Sequence, residues 1–195
     1  MSVFDQMAIS RSVCRALSRD GWRATLTLLA CTALFTVRVP RSASLVAEFP
    51  QHSPSSLAHF LADFSNHPRL YTHITGSWGV EEEMNNYTSW RYVVSYECGA
   101  RCAGRVELSA HDDASQHRVQ VRDTWCSKLP LLPWPQMCQN SLTETVVTSR
   151  SGGGARMAEV ARVQCSVLAL AVGCDPGAAR REHLRALRAE LARQL

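Results

Sequence analysis

Lysine and arginine together number 21 in this chain of 195 residues, and Lys128 is the only lysine. Its basic character is therefore almost wholly guanidinium. The stretch Ser151-Gly152-Gly153-Gly154 lacks the lysine with which a phosphate loop grips its ligand. There is no CxxC pair and no HExxH motif, and His52, His59, His67 and His73 have no ligand spacing, so neither a metal nor a cofactor is expected. Basic and aromatic residues are not densely interleaved and the net charge is a modest +4, which argues against nucleic acid as a partner. Internal repeats and low-complexity runs are absent. His111 beside Asp112 and Asp113 comes nearest to an acid–base group, but no nucleophile or activated-water arrangement accompanies it. It reads as a hairpin turn with solvated carboxylates, and Glu81-Glu82-Glu83 as a charged loop. The chain is not expected to be an enzyme.

Charge is also missing from residues 24–37, between Arg23 and Arg38. Fourteen uncharged residues make about 21 Å of helix, short of the roughly twenty residues that a bilayer core asks for. Gly21, Trp22 and Val39 can extend the segment, the stems of Arg23 and Arg38 can snorkel, and Pro40 stops it. Before it, Ile9, Val13 and Leu17 share one helical face and Arg11, Arg15 and Arg19 another. Residues 1–40 thus read as an amphipathic helix plus a short transmembrane anchor. A targeting peptide cleaved near Ser42-Ala43-Ser44 is the alternative, and a buried helix of the domain a third.

Residues 41–56, with Pro50, Pro54 and several serines, read as a linker, and 57–195 as the body. Ser56 is expected to cap a short helix through Leu57, Phe60, Leu61 and Phe64. Strands are expected over 70–80 and 89–97, and a hairpin over 105–110 and 117–124 with Val106, Leu108, Ala110, Val119 and Val121 facing one core. Residues 142–149 form a further strand, and 157–172 suit strand or helix. Leu184, Leu187, Leu191 and Leu195 mark a final helix after Asp175-Pro176. The fold class is α+β: an antiparallel curved sheet with a closing C-terminal helix, preceded by the amphipathic and transmembrane helices.

Six of the eight cysteines lie in the body, an even number that permits disulfides outside a reducing compartment. Cys98 with Cys102 and Cys126 with Cys138 could each close a short loop, though sequence alone fixes neither pair. Asn86-Tyr87-Thr88 satisfies the glycosylation pattern and matters only in a secretory compartment.

Gly76-Ser77-Trp78, the run Trp90-Arg91-Tyr92-Val93-Val94-Ser95-Tyr96, the hairpin and the final helix resemble the VASt domain of the START-like, helix-grip superfamily, over residues 57–193. The resemblance implies a sterol or other lipid held between sheet and helix. Trp78, Trp90, Tyr92, Tyr96, Trp125 and Trp134 would then line the cavity, and Pro133-Trp134-Pro135 would lie near its mouth. The expected function is a non-catalytic accessory or scaffold subunit of an organellar membrane complex, in the mitochondrial inner membrane. Leu131 and Trp134 in the prolyl loop, and Leu184, Leu187 and Leu191, would contact other subunits or membrane lipids. The alternative is a membrane-tethered START-like lipid-binding or lipid-transfer module carrying a lipid or sterol.

Overall fold

The computed structural model describes residues 21–27, 29, 33, 34, 36–86, 88–113, 115–128, 136–171 and 173–194. Seven strands build one antiparallel sheet: β1 (Arg38–Phe49), β2 (Trp78–Asn86), β3 (Ser89–Glu97), β4 (Cys102–Asp112), β5 (Gln116–Lys128), β6 (Gln136–Ser149) and β7 (Ala155–Ser166). Helices α1 (Pro54–Ala62) and α2 (His67–Leu70) separate β1 from β2, with a 3-10 turn at Phe64–Asn66 between them. Helices α3 (Val167–Ala171) and α4 (Pro176–Ala192) follow β7. The order across the sheet is β1-β7-β6-β5-β4-β3-β2, so the chain crosses by successive antiparallel neighbours from β2 to β7 and arrives beside β1.

Period-two alternation divides the sheet into a helix-covered face and an open face. On β4, Val106, Leu108 and Ala110 are buried, while Arg105 and Glu107 point away. In the hairpin register Leu108 opposes Val121 and Ala110 opposes Val119, so both strands present apolar residues to one core. Strand β7 buries Ala155, Met157, Glu159 and Ala161 between exposed neighbours. The core joins Ala155 and Met157, with Val106, Leu108, Ala110 and Val119, to Leu57, Leu61 and Phe64 of the first helical segment and to Leu187 and Leu191 of α4. Leu191 lies eight residues after His183, with Leu187 midway, so all three share the covered stripe of α4. Asp175 caps that helix by accepting from the Gly177 amide at 2.8 Å, with Pro176 at its first turn.

Several expectations are corrected. Among the described residues no helix is long and apolar enough to cross a membrane. The chain leaves the helical conformation by Val37 and enters β1 at Arg38, so Val39 and Pro40 extend a strand and not an anchor. The transmembrane part of the expected fold class falls with it, as do the single-pass anchor and the inner-membrane location argued from it. The amphipathic helix expected over residues 4–20 lies outside the described residues. Ser42, Ala43 and Ser44, read as a cleavage region, pair in β1 with Arg162, Ala161 and Val160 of β7, so a cut there would remove part of the sheet. Residues 41–56, read as a linker, hold most of β1 and the first residues of α1.

Smaller differences have local causes. Ser53, not Ser56, caps α1, its hydroxyl accepting from the Ser56 amide at 3.1 Å. Residues 71–77 form a loop, and Glu81, Glu82 and Glu83 belong to β2. Arg105 reaches across β3 to Glu81 at 3.0 Å and Glu82 at 3.9 Å, which lets a carboxylate run sit in a strand. The ambiguous segment 157–172 is both things: strand to Ser166, then α3.

Candidate ligand chamber

Between the covered face and α4 lies a cavity of about 310 Å³. Strand β5 supplies Val121, Asp123 and Trp125 to its floor, and β6 supplies Gln139, Ser141 and Thr143. The loop after α2 walls it with Tyr71 and His73, while Arg180, His183 and Ala186 of α4 roof it. A larger groove of about 940 Å³, lined by Met84, Arg91, His111 and Arg118, includes open-face residues of β2 to β6. A second hollow of about 470 Å³ lies among His59, Phe64, Trp78, Trp90 and Tyr92. The smallest of the three is the one that concentrates buried polar groups.

Behind the lining residue Arg180 stands Glu159, which the alternation of β7 turns inward. Its carboxylate receives the Arg180 guanidinium at 3.4 Å and the Thr145 hydroxyl, also at 3.4 Å. Thr145 is its direct cross-strand partner. Burial pushes the Glu159 carboxyl above its ordinary value, against the opposing pull of Arg180 and the two hydrogen bonds. Burial by itself would lower Arg180, but Tyr71 and Glu159 together hold it above its ordinary value. The guanidinium lies 5.6 Å from the Tyr71 ring centroid.

His183 is the distinctive member. It is 4% exposed, stacks on Tyr71 with ring centroids 4.8 Å apart, and has no hydrogen-bond partner at either ring nitrogen. Glu159 Oε2 is 3.9 Å from Nδ1, beyond hydrogen-bonding reach. Burial, then the nearby Arg180 and His67, push its pKa down to about 3, so the ring is neutral. A neutral imidazole offers one donor and one acceptor. Buried groups of this kind are ordinarily satisfied, and among the described residues His183 alone has buried side-chain polar atoms without a partner.

A second polar set stands beside it. The Tyr96 hydroxyl donates to Asp123 Oδ1 at 2.9 Å, and His73 Nε2 lies 3.7 Å from Asp123 Oδ2. Tyr96 opposes Gly104, and an added Cβ at Gly104 would strike the Tyr96 ring. The glycine therefore lets the phenol lie across β4 and reach β5.

Of the contact residues expected from sequence, Trp125 lines this chamber and Tyr96 orders Asp123 in it. Trp78, Trp90 and Tyr92 surround the second hollow instead. Trp90 stacks on His59, and the Tyr92 hydroxyl accepts from the Phe64 amide at 2.7 Å and donates to the Ala62 carbonyl. Leu187 and Leu191 are buried in the core, with Leu184 packed against it, so this leucine face is occupied by the protein itself. Leu131, Trp134 and the amphipathic residues before Gly21 lie outside the described residues. His111 is exposed, and Asp112 instead meets His117 Nδ1 at 2.6 Å. Among the described residues no three His, Cys, Asp or Glu gather as metal ligands.

Sequence reasoning passed over Glu159, Asp123 and His183. Each was visible as a polar residue at a core-facing position: Glu159 between Met157 and Ala161, Asp123 between Val121 and Trp125, His183 four residues before Leu187.

No protein-family model and no curated protein matches the chain. Solved structures do. Protein Mll3558 from Rhizobium loti is 19% identical, aligned over 82% of this chain and 99% of its own, with a TM-score of 0.46. Hypothetical protein jhp0584 from Helicobacter pylori is 14% identical over 78% of this chain and 87% of its own, at 0.50. A conserved protein from Geobacillus kaustophilus is 10% identical over 80% and 96%, at 0.41. The likeness to jhp0584 is one of fold. With no membrane-crossing helix among the described residues, the membrane-complex scaffold and the membrane-tethered lipid-transfer module are both withdrawn.

Proposed function

We propose that this domain is a helix-grip binding module that takes one small planar molecule between its sheet and α4 and does no chemistry on it. The strand–helix–helix order, six further strands and a final helix over one sheet face support kinship with START-like domains. The single observation that carries the reading is His183, enclosed in the chamber with both ring nitrogens unpaired. A ligand that donates to one nitrogen and accepts from the other would remove the cost of about 1–3 kcal/mol that an unsatisfied buried group carries.

The surroundings narrow the ligand class. Arg180 is engaged by Glu159 and Tyr71, so among the described residues the chamber has no spare buried cation to hold a full anionic charge. Tyr71 and Trp125 offer flat walls, and about 310 Å³ is at the small end for a ligand pocket and too small for a two-chain phospholipid. A neutral hydroxylated aromatic fits this chemistry.

The test is calorimetric titration with 2-naphthol. The full chain should bind one equivalent, Ala186→Phe should lose at least tenfold in affinity by filling the roof, and Val160→Ala on the open face should bind as the parent does. Absence of stoichiometric binding, or equal affinity in Ala186→Phe, would defeat the proposal.

A further inference from the structure

The hairpin joining β2 to β3 carries a motif that the chamber does not use. Asn86-Tyr87-Thr88 is the only Asn-x-Ser/Thr triplet in the chain. Asn86 ends β2 opposite Ser89, and both Asn86 and Thr88 are exposed. The irregularity between Val80 and Glu82 shifts the register of β2. Trp78 and Val80 therefore lie on the covered side, opposite Tyr96 and Val94, whereas Met84 and Asn86 lie on the open side, opposite Arg91 and Ser89. A group attached at Asn86 projects away from α4 and leaves the chamber unobstructed.

A second observation is independent of the motif. Cys98–Cys102, Cys126–Cys138 and Cys165–Cys174 are disulfides, so all six cysteines beyond residue 38 are oxidised. Disulfides at this density form and persist in oxidising compartments and are rare where glutathione keeps thiols reduced. Asparagine-linked glycosylation takes place along the same secretory route. The acceptor triplet and the cystines thus point to one environment.

We propose that Asn86 carries an N-linked glycan, added in the oxidising lumen where the three disulfides close. It would also protect the sheet. Strand β2 is an edge, and Val80 and Met84 on it are 53% and 68% exposed. An unpaired edge with exposed apolar side chains is a template for pairing with another chain. A solvated oligosaccharide at the end of that edge opposes such pairing.

Expression of the full chain in cultured animal cells tests this. The parent and Thr88→Ser, which keeps the triplet, should each show a single mobility step removed by peptide:N-glycosidase. Mass spectrometry after enzymatic release in heavy-oxygen water should find Asn86 converted to labelled aspartate, and maleimide should find Cys98 to Cys174 blocked. Thr88→Ala and Asn86→Gln should lack the step, retain the disulfides, and self-associate at lower concentration on gel filtration. Unmodified Asn86 in a disulfide-bonded parent would overturn the glycan. Unmodified Asn86 with reactive thiols would overturn the compartment as well. Unchanged self-association in both variants would overturn the protective role.

Discussion

Glu159 of β7 and Arg180 of α4 meet across 3.4 Å, with side-chain exposures of 1% and 16%. A pair so enclosed contributes little net attraction against two hydrophobic residues of similar size, because both charges have left water. Removing one partner is another matter. Arg180→Met should destabilise the domain by about 3–5 kcal/mol, since Glu159 is left buried and uncompensated. Glu159→Leu combined with Arg180→Met should recover most of that loss in urea melts. A double variant as unstable as the single one would mean that the loss does not come from an uncompensated Glu159 carboxylate.

The pH response of His183 has a definite sign. Its folded-state pKa lies near 3, below its ordinary value of 6.5, so the folded chain binds fewer protons than the unfolded one between those limits. Its stability contribution is complete above pH 6.5 and is lost as pH falls towards 3, at no more than about 1.4 kcal/mol per pH unit. His67, lowered by burial, acts in the same direction, and Glu159, raised by burial, acts in the opposite one. Comparison with His183→Leu isolates the one ring. The variant should show a shallower decline in urea-derived stability between pH 6.5 and 4.5, and parallel declines would refute the assignment.

Alternation made β4 and β5 legible, because a half-buried strand must turn every second side chain to the core. The Asp175-Pro176 start and leucine stripe made α4 legible for a similar reason at helical spacing. Beta-strand β1 was obscured by Pro40 and the serines, which read as linker residues. At a sheet edge, a proline without an amide hydrogen costs nothing when that position faces solvent. The Glu81 to Glu83 run was misread because its compensating Arg105 arrives from two strands away, a contact that no local window contains. The chamber was missed for the same kind of reason: Asp123, Glu159 and His183 are distant in sequence and converge only once the sheet has formed and α4 has folded back on it.

Cys165 ends β7's covered row and Cys174 immediately precedes the Asp175 cap, so their disulfide fixes where α4 begins. Closing a loop of this length restricts the unfolded chain by roughly 2–3 kcal/mol. Replacing both cysteines with alanine should lower stability by about that amount. Hydrogen exchange should quicken first in the amino-terminal turns of α4, near Arg180 and His183, while β4 and β5 stay protected. Uniform loss of protection would show that the link stabilises the whole sheet and not the roof of the chamber.

Tyr96 depends on the absence of a side chain at Gly104, since a Cβ there would overlap the phenol ring. Gly104→Ala should therefore displace the ring and break its 2.9 Å bond to Asp123. The expected cost is about 1–3 kcal/mol, the range for overpacking a filled core. Ordinarily alanine favours a strand over glycine, because glycine loses more freedom on folding. A neutral or stabilising Gly104→Ala in thermal melts would thus show that the ring yields without loss. The companion variant Tyr96→Leu should remove the obstacle. Gly104→Ala placed in that background should become neutral or mildly stabilising, and a persistent cost there would locate the strain in the backbone of β4.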